Sequence, residues 1–378
     1  MNVSFLNKIP FAIASLMASS AIAFGAMDMD SRVTHLEDQM RQVRTGTAMG
    51  TYGAQTAPAQ PMVEGHGWFI VGDVLYWQAK VGGTSYAYTD QDSNATFPIK
   101  GGIKEVDFKW NWGFRLGAGY NLQHDHWDVQ LQYTYFRGNG SNSTSAGLNS
   151  SIIPLRGSSS IVSVVNGNDT FVFCTHATAQ YKFEYQSLAL ELGRAYYVSG
   201  HVSFRPHWGL KSAWIDQSEI VRYTGGVANG SNLGLDVSTV SVKDYCDFWG
   251  MGPAVGVNSA WHLGSGFSIC GNIAGAMLFG FFDVEHKENY TANTNGKIKI
   301  HGNRHAFSPT TQFQLGLRYD RYLHCDRQHI GVGLGFEAQY WWRQNQMLAI
   351  RDASPLKYGR YAADASMHGV TLDIKWDF

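Results

Sequence analysis

Charge is scarce in this sequence, and so are long apolar runs. Asp, Glu, Lys and Arg make up 16% of the 378 residues, against about 25% in an average soluble protein. After the N-terminal segment the longest apolar stretch runs from Ala274 to Phe282. A membrane-spanning helix needs roughly twenty such residues. The sequence therefore predicts either an apolar soluble protein or a membrane protein that spans with strands.

Cysteine is scarce as well, which excludes two classes of site. The four cysteines lie far apart, so they predict neither a disulfide framework nor a thiolate metal centre.

The formal net charge is −1 and the basic residues are scattered, so we expect no nucleic-acid partner. No phosphate-binding glycine motif, catalytic constellation or metal-ligand cluster stands out, and we expect no cofactor, no metal and no enzyme activity. Asp283 and His286 resemble the carboxylate–histidine pairs of barrel proteases, but no activated nucleophile accompanies them.

Alternation with a period of two dominates the chain from Trp68 onward. In residues 108–121, for example, bulky apolar side chains occupy the even positions while polar residues and glycines occupy the odd ones. A soluble sandwich also alternates, but here aromatic residues cluster at the strand ends, as in the two girdles of a membrane barrel. The sequence thus predicts an all-β, transmembrane antiparallel barrel.

Counting alternating segments gives about ten strands. The connections near 121–126, 197–201, 262–266 and 323–328 are short, whereas those near 79–106, 138–177, 216–244, 283–304 and 344–366 are long, as in outer-membrane barrels. A hidden hairpin in 138–177 would raise the count to 12 or more. The ten predicted segments are 68–78, 107–121, 127–137, 179–195, 201–215, 245–261, 267–282, 308–322, 329–343 and 368–378.

The N-terminal region divides into two predicted parts before the barrel of residues 67–378. Residues 1–23 read as a signal peptide, with Lys8, an apolar stretch and small residues at its end. Residues 24–66 read as a periplasmic segment: an amphipathic helix over 28–44, then a linker. The heptad spacing in 28–44 is that of a short coiled coil, which could hold barrels together as a homo-oligomer. A lone amphipathic helix is the alternative.

The C-terminal strand carries the most specific signal. Residues 368–378 alternate and end on an aromatic residue. We expect Trp376 and Phe378 to form the signal read by the barrel assembly machinery, with outer-membrane lipid around the finished barrel. The cell outer membrane is the predicted location.

The polar strand face supplies the candidate functional residues. In a conducting barrel these side chains would line a pore; in a narrow one they would form a salt-bridged plug instead. The predicted pore-lining residues are Lys109, Arg115, Asp128, Glu191, Arg205, His207, Lys211, Arg318, Glu337, Asp373 and Lys375.

Three cysteines are candidates for disulfides. Cys174 and Cys246 both fall on the predicted outer side and could pair. Cys325 lies in a predicted periplasmic turn, where a disulfide to another chain and a free thiol are both possible.

Several segments together resemble the Legionella-type major outer membrane protein family, which includes porin-like members in chlamydia-like bacteria. These segments are Gly72–Trp77, Leu188–Arg194, Arg205–Leu210, Phe248–Val257 and the closing strand. The resemblance implies an abundant, surface-exposed, porin-like barrel that lets small hydrophilic solutes diffuse passively. The alternative is a surface adhesin or structural barrel without significant conduction.

Overall fold

The structure is a computed structural model, and all secondary structure in the part of the chain it describes is β. The described residues are 57–61, 63, 67–91, 100–122, 126–157, 163–165, 168–170, 173–230, 235–290, 297–324, 327–353 and 356–378. Within these ranges no helix is long and apolar enough to cross a membrane. The predicted signal peptide, the predicted helix over 28–44 and Cys325 lie outside the described residues, so those predictions stay predictions.

Eighteen strands follow one another along the described chain. They are β1 (Trp68–Val81), β2 (Ser85–Asp90), β3 (Ile103–Glu105), β4 (Trp110–Asn121), β5 (Trp127–Ser145), β6 (Ser151–Pro154), β7 (Ser163–Val165), β8 (Asn168–Thr170), β9 (His176–Arg194), β10 (Tyr196–Ser199), β11 (Val202–Gly230), β12 (Leu235–Gly264), β13 (Phe267–Tyr290), β14 (Lys297–Leu323), β15 (Gln328–Asn345), β16 (Leu348–Ala353), β17 (Leu356–Arg360) and β18 (Ala363–Asp377).

Ten of these strands close into a barrel. The ring runs β1-β4-β5-β9-β11-β12-β13-β14-β15-β18 and returns to β1, with every neighbouring pair antiparallel. The closing pair β1–β18 matches Phe69 with Asp377 and Val81 with Ala365. Because the ring has no free edge, the backbone groups within the membrane are paired by neighbouring strands. The predicted count of ten strands is confirmed.

The outward face of the wall is an apolar belt bordered by aromatic residues. On β4, Trp112 and Leu116 point outward and are 69% and 56% exposed. One aromatic girdle includes Trp68 and Tyr120, whose rings lie 5.0 Å apart. Trp110 stands ten residues before Tyr120, about 33 Å along the strand. At a tilt of about 40° this leaves about 25 Å across the membrane, which is the height of an outer-membrane apolar band.

The two ends of the barrel differ. At one, the short-turn end, the connections are 122–126, 195–201, 265–266 and 324–327. Gly266 has a φ of +85°, and a Cβ there would lie 2.5 Å from the Asp320 carbonyl oxygen, so the turn needs glycine. At the opposite, long-loop end, β11 and β12 run on as strands of 29 and 30 residues. A membrane span needs about 11. The wall therefore projects well beyond the membrane.

Two predictions about this end were wrong in detail. Residues 216–244 and 283–304, predicted as long loops, are mostly continuations of β11–β14. The predicted hairpin within 138–177 exists as the two-stranded β7–β8 unit, but it lies outside the barrel sheet and does not raise the strand count.

The segment 57–61, predicted as linker, docks at the short-turn end, where the Ala59 N–H donates to the Ala195 carbonyl at 3.1 Å.

The C-terminal residue takes part in closing the barrel. The Phe378 N–H donates to the Trp68 carbonyl at 2.9 Å, and the Phe378 ring lies 5.2 Å from the Trp376 ring. Both side chains face outward at the short-turn girdle. Their role as an assembly signal stays a prediction.

The asymmetry of the two ends yields a test of orientation. Because outer-membrane barrels keep short turns in the periplasm, an epitope tag inserted between Gly230 and Leu235 should bind antibody on intact cells. A tag in the turn at Ser265 and Gly266 should bind only after the outer membrane is permeabilised. Antibody access to the second tag on intact cells would reverse the assigned orientation.

Candidate functional site: the barrel lumen

The lumen contains a cavity of about 780 Å³ toward the short-turn end. Inward-facing side chains of all ten barrel strands line it, together with Ala59, Gln60 and Pro61 from the segment before β1. The Gln60 side chain donates to the His126 carbonyl at 2.8 Å, which ties this segment to the barrel mouth. The sequence analysis did not place these three residues in the lumen.

The structure brings most of the predicted pore-lining residues together around this cavity. Nine of the eleven line it: Arg115, Asp128, Glu191, Arg205, His207, Lys211, Arg318, Asp373 and Lys375. Glu337 also points inward, but it is completely buried in the wall. Lys109 does not face the cavity. It is exposed just ahead of β4, where its N–H donates to the Asn139 carbonyl at 2.9 Å, so the sequence analysis placed it wrongly.

Arg115 is the centre of a first ion network, which joins β4 to β1 and β15. Its guanidinium contacts the Asp73 carboxylate of β1 at 2.9 Å and the Glu337 carboxylate of β15 at 2.7 Å. Thr371 and Gln312 also donate to Glu337, at 3.2 and 2.9 Å. All three ionic side chains are at least 95% buried, and two carboxylates share one cation.

A second network is built on Arg205 of β11. Its guanidinium forms an ion pair with Asp128 of β5 and contacts Glu191 of β9 at 3.3 Å. His207 lies 3.9 Å from the same Glu191. Lys211, four residues beyond His207 on β11, stands 5.4 Å over the Trp341 ring. This network covers the next part of the wall after the Arg115 cluster, on β5, β9 and β11.

A third network ties the C-terminal strand to its neighbours. Arg318 contacts Asp320 at 2.9 Å and Asp373 at 3.5 Å. His329 contacts Asp320 at 3.2 Å and Asp377 at 2.8 Å. Lys375 reaches Asp377 at 2.9 Å. Of the predicted residues here, Arg318, Asp373 and Lys375 are therefore held in ion pairs rather than standing as single charges in the lumen.

An apolar layer closes the lumen above the cavity, toward the long-loop end. Here the inward positions of the strands carry large, fully buried side chains: Leu75, Trp77, Phe136, Phe183, Tyr185, Phe248, Phe282 and Trp341. Connecting segments pack onto them from within the barrel, contributing Tyr86, Ile152, Met347 and Leu348. A hydrated solute cannot pass this layer while it is packed.

A buried arginine anchors these connecting segments to the wall. Arg156, which follows β6, contacts Glu219 of β11 at 2.6 Å, and its guanidinium lies 4.1 Å over the Tyr361 ring. Its N–H also donates to the Tyr223 hydroxyl at 3.2 Å. Arg156 and Glu219 are 1% and 0% exposed. We call this ion pair the latch.

A histidine with two carboxylates lies next to the latch. His286 of β13 bonds to Asp244 of β12 at 2.5 Å and to Glu288 at 2.7 Å, and Asp244 is in register with Glu219. Burial alone would lower the pKa of His286, but the two carboxylates raise it to about 9. Burial raises the pKa of Glu219 to about 7, despite the nearby Arg156 charge. These groups lie beyond the second aromatic girdle, at the long-loop end, where Trp214, Trp249 and Phe281 form one row on β11, β12 and β13. They are therefore outside the membrane-spanning segments.

This cluster was not predicted from the sequence. Arg156, Glu219 and Asp244 fall within the predicted long connections 138–177 and 216–244. Asp283 and His286 do not form a catalytic pair, since Asp283 faces outward and contacts His301 at 3.2 Å while His286 faces inward. Among the described residues, no group of three or more His, Cys, Asp or Glu side chains could hold a metal ion.

The cysteine prediction is corrected for two of its three residues. Cys174 and Cys246 are both buried with free thiols and form no disulfide with each other. Cys246 points into the apolar layer, where its thiol lies 3.8 Å from the Gln344 carbonyl. Cys174 instead pairs through its backbone with Ile152.

A closed antiparallel ring with an apolar outer belt and a polar interior defines a transmembrane β-barrel of the bacterial outer membrane. The family described as Legionella pneumophila major outer membrane protein precursor matches residues 60–378. The chain belongs to this family, and its location in the outer membrane is thereby confirmed.

Several solved outer membrane proteins are similar to this chain at low identity. The outer membrane protease OmpT from Escherichia coli is 9% identical, with 87% of this chain and 100% of that chain covered and a TM-score of 0.42. A Pseudomonas aeruginosa FadL homologue is 9% identical, with 86% and 95% covered and a TM-score of 0.30. The Pseudomonas aeruginosa outer membrane protein OprG is 13% identical, with 68% and 97% covered and a TM-score of 0.26. No curated protein matches the chain.

The Arg115 network yields a stability prediction. Arg115→Met would leave Asp73 and Glu337 buried without their cation, and breaking a buried pair in this way costs about 3–5 kcal/mol. The barrel should therefore unfold at a lower temperature, measured as the shift from folded to unfolded migration on a gel. Lys109→Met removes one exposed charge and is the control. Equal unfolding temperatures for the two variants would show that the network does not stabilise the barrel.

Proposed function

We propose that this protein is a porin-like barrel that allows passive diffusion of small hydrophilic solutes and is gated at its long-loop end. The observation that carries the proposal is the polar cavity that opens toward the short-turn end. The proposal assigns no catalytic role to the chain.

The lining of the cavity suits small polar solutes. Arginine, lysine, aspartate and glutamate side chains surround it together with amides such as Gln130, Gln132 and Gln314. Since the cations are mostly paired with acids, the wall offers hydrogen bonds to a solute but little net charge. We therefore expect weak ion selectivity.

In this proposal the packed apolar layer is the closed state of the gate. Conduction then requires the connecting segments held by Arg156 to move aside. The latch is a suitable point of control because it is the ion pair that joins a connecting segment to the wall strand β11. Releasing the latch would free that segment without altering the Arg115 and Arg205 networks, which lie nearer the short-turn end of the barrel.

A second function is favoured by the same apolar layer. If the segments never leave the barrel, the protein is a closed structural barrel whose long-loop end serves surface interactions. The specific observation for this second function is the complete burial of Trp77, Tyr185 and Trp341, with the Tyr185 and Trp341 rings 5.7 Å apart.

Single-channel recording in planar bilayers separates the two functions. The double variant Arg156→Gln/Glu219→Gln removes the latch without leaving an unpaired buried charge. We expect it to open several times more often than the wild type. The matched control is Arg137→Gln/Glu184→Gln, a pair of in-register residues on the outer face of β5 and β9, which should open as the wild type does.

Each result has one interpretation. More frequent opening of the latch variant alone, with sugars still passing, supports the gated porin. If wild type, control and latch variant all fold, as judged by heat-modifiable migration, and none conducts, the porin proposal fails and the closed structural barrel is favoured.

Glu219 gives the gate a predicted pH dependence. In the closed state its pKa is about 7, whereas a hydrated glutamate titrates near 4.3. The closed state thus binds more protons, and Arg156 can still donate a hydrogen bond to the neutral Glu219 carboxyl, so closure is favoured at low pH and weakened as pH rises through 7. The titratable and charged groups facing Glu219 are Arg156, Asp244, Tyr181, Tyr223 and Tyr361.

The wild-type open probability should therefore rise between about pH 5 and pH 8. Glu219→Gln cannot titrate and should give a flatter profile over the same range. A wild-type profile that falls with rising pH, or one that Glu219→Gln leaves unchanged, would show that Glu219 does not control the gate.

A further inference from the structure

The outer face of the projecting wall carries a row of lysines. Lys243 of β12, Lys287 of β13 and Lys299 of β14 are in register on neighbouring strands. Adjacent strands lie about 4.8 Å apart, so the three side chains start within a strip about 10 Å wide. Arg222 and Lys297 stand on the next outward row of the same sheet and are both exposed. We call these five residues the basic patch.

The patch is accessible and only partly neutralised. The Lys287 and Lys299 side chains are 35% and 67% exposed. Both contact one carboxylate, Glu285, at 2.5 and 3.0 Å, and Lys287 also lies 5.1 Å from the Tyr245 ring. One acid thus holds two ammonium groups in fixed positions, which leaves net positive charge at a defined place.

A row of carboxylates separates the basic patch from the membrane. Glu184, Asp216, Asp247 and Asp283 are in register across β9, β11, β12 and β13. On each of the last three strands the carboxylate is two residues beyond an outward aromatic: Trp214, Trp249 and Phe281. We call these four residues the acidic row.

The heights of the basic patch and of the acidic row above the girdle indicate which kind of anionic ligand fits. Along β13, Lys287 lies six residues beyond Phe281. This distance is about 20 Å along the strand, or about 15 Å above the girdle at a tilt of about 40°. The acidic row lies only about 5 Å above it. A phospholipid phosphate sits near the girdle and would meet the carboxylates, where like charges repel. A ligand that binds the basic patch needs its anionic groups about 15 Å beyond the girdle, at the height of the lysines.

We propose that the basic patch binds the anionic saccharide of an outer-leaflet glycolipid. Such a lipid has its acyl chains against the apolar belt while phosphate or carboxylate groups on its sugars extend to the lysines. The belt and the patch lie on the same strands, so one molecule can contact both. The inference rests on the orientation of the long-loop end toward the outside, and it is independent of conduction.

The test is a titration of the purified full chain in detergent with three lipids. These are a lipopolysaccharide that keeps its inner-core sugars, lipid A alone, and phosphatidylglycerol. The wild type should bind the lipopolysaccharide about tenfold or more tightly than lipid A, since each lysine near an anionic lipid surface raises the affinity about fivefold and several lysines act together. The preference should shrink as salt is added.

Matched variants assign the effect to the patch. Lys243→Gln/Lys287→Gln/Lys299→Gln should lose the preference for lipopolysaccharide over lipid A. Lys100→Gln/Lys104→Gln/Lys109→Gln removes the same number of charges from β3 and its flanks at the same end of the barrel, and it should keep the preference. Both variants must show wild-type heat-modifiable migration; if the patch variant does not, the single change Lys299→Gln, at the most exposed lysine, takes its place and should weaken the preference.

Three results would overturn the proposal. The first is a patch variant that keeps the full preference. The second is a wild type that binds lipid A or phosphatidylglycerol as tightly as the lipopolysaccharide. The third is equal binding of dextran sulfate, a soluble polyanion, which would show that the patch recognises charge without a lipid. A failed orientation test with the epitope tags would instead remove the premise, and conduction measurements would be unaffected by any of these outcomes.

Discussion

A narrow closed ring forces every inward side chain to share a small interior with those of the opposite wall. A barrel of about eight strands is filled by its own side chains, and ten strands leave only a little more room. Inward charges in the lower half are therefore held by partners from other strands, as Arg115 is by Asp73 and Glu337. The same crowding explains a glycine in the wall: a Cβ on Gly333 would lie 1.8 Å from an Asp373 carboxylate oxygen.

The side-chain pattern reverses where the wall leaves the membrane. Between the girdles, apolar residues face outward to lipid and polar residues face the lumen. Beyond Trp214 the arrangement is that of a soluble protein: Ile215 and Val221 are buried inside, while Asp216 and Arg222 face outward. The physical reason is what surrounds the wall. Lipid surrounds it between the two girdles, and water surrounds it beyond Trp214. The projecting wall therefore needs an apolar core of its own, and the segments carrying Tyr86, Ile152 and Met347 supply it.

This reversal also explains what the sequence could and could not predict. Alternation identified the ten spanning strands because lipid demands a continuous apolar face, and nine of the eleven predicted lumen residues line the cavity. Residues 216–244 were taken for loops because polar outward residues such as Asp216 and Ser218 mimic loop composition. Arg156 and Glu219 were missed for a different reason. They are brought together by the folding of a connecting segment into the barrel, and no local pattern encodes a contact between residues so far apart in sequence.

In the projecting strands, residues at the same height on the outer and inner faces of the wall are neighbours in sequence. Alternation places neighbours such as Lys287 and Glu288 on opposite sides of β13, one in the basic patch and one beside the latch. A ligand held on the outer face would therefore restrain the same strand that positions His286 and Glu288 inside. The gate and the lipid contact are then two consequences of one feature, the extension of β11–β14 beyond the membrane.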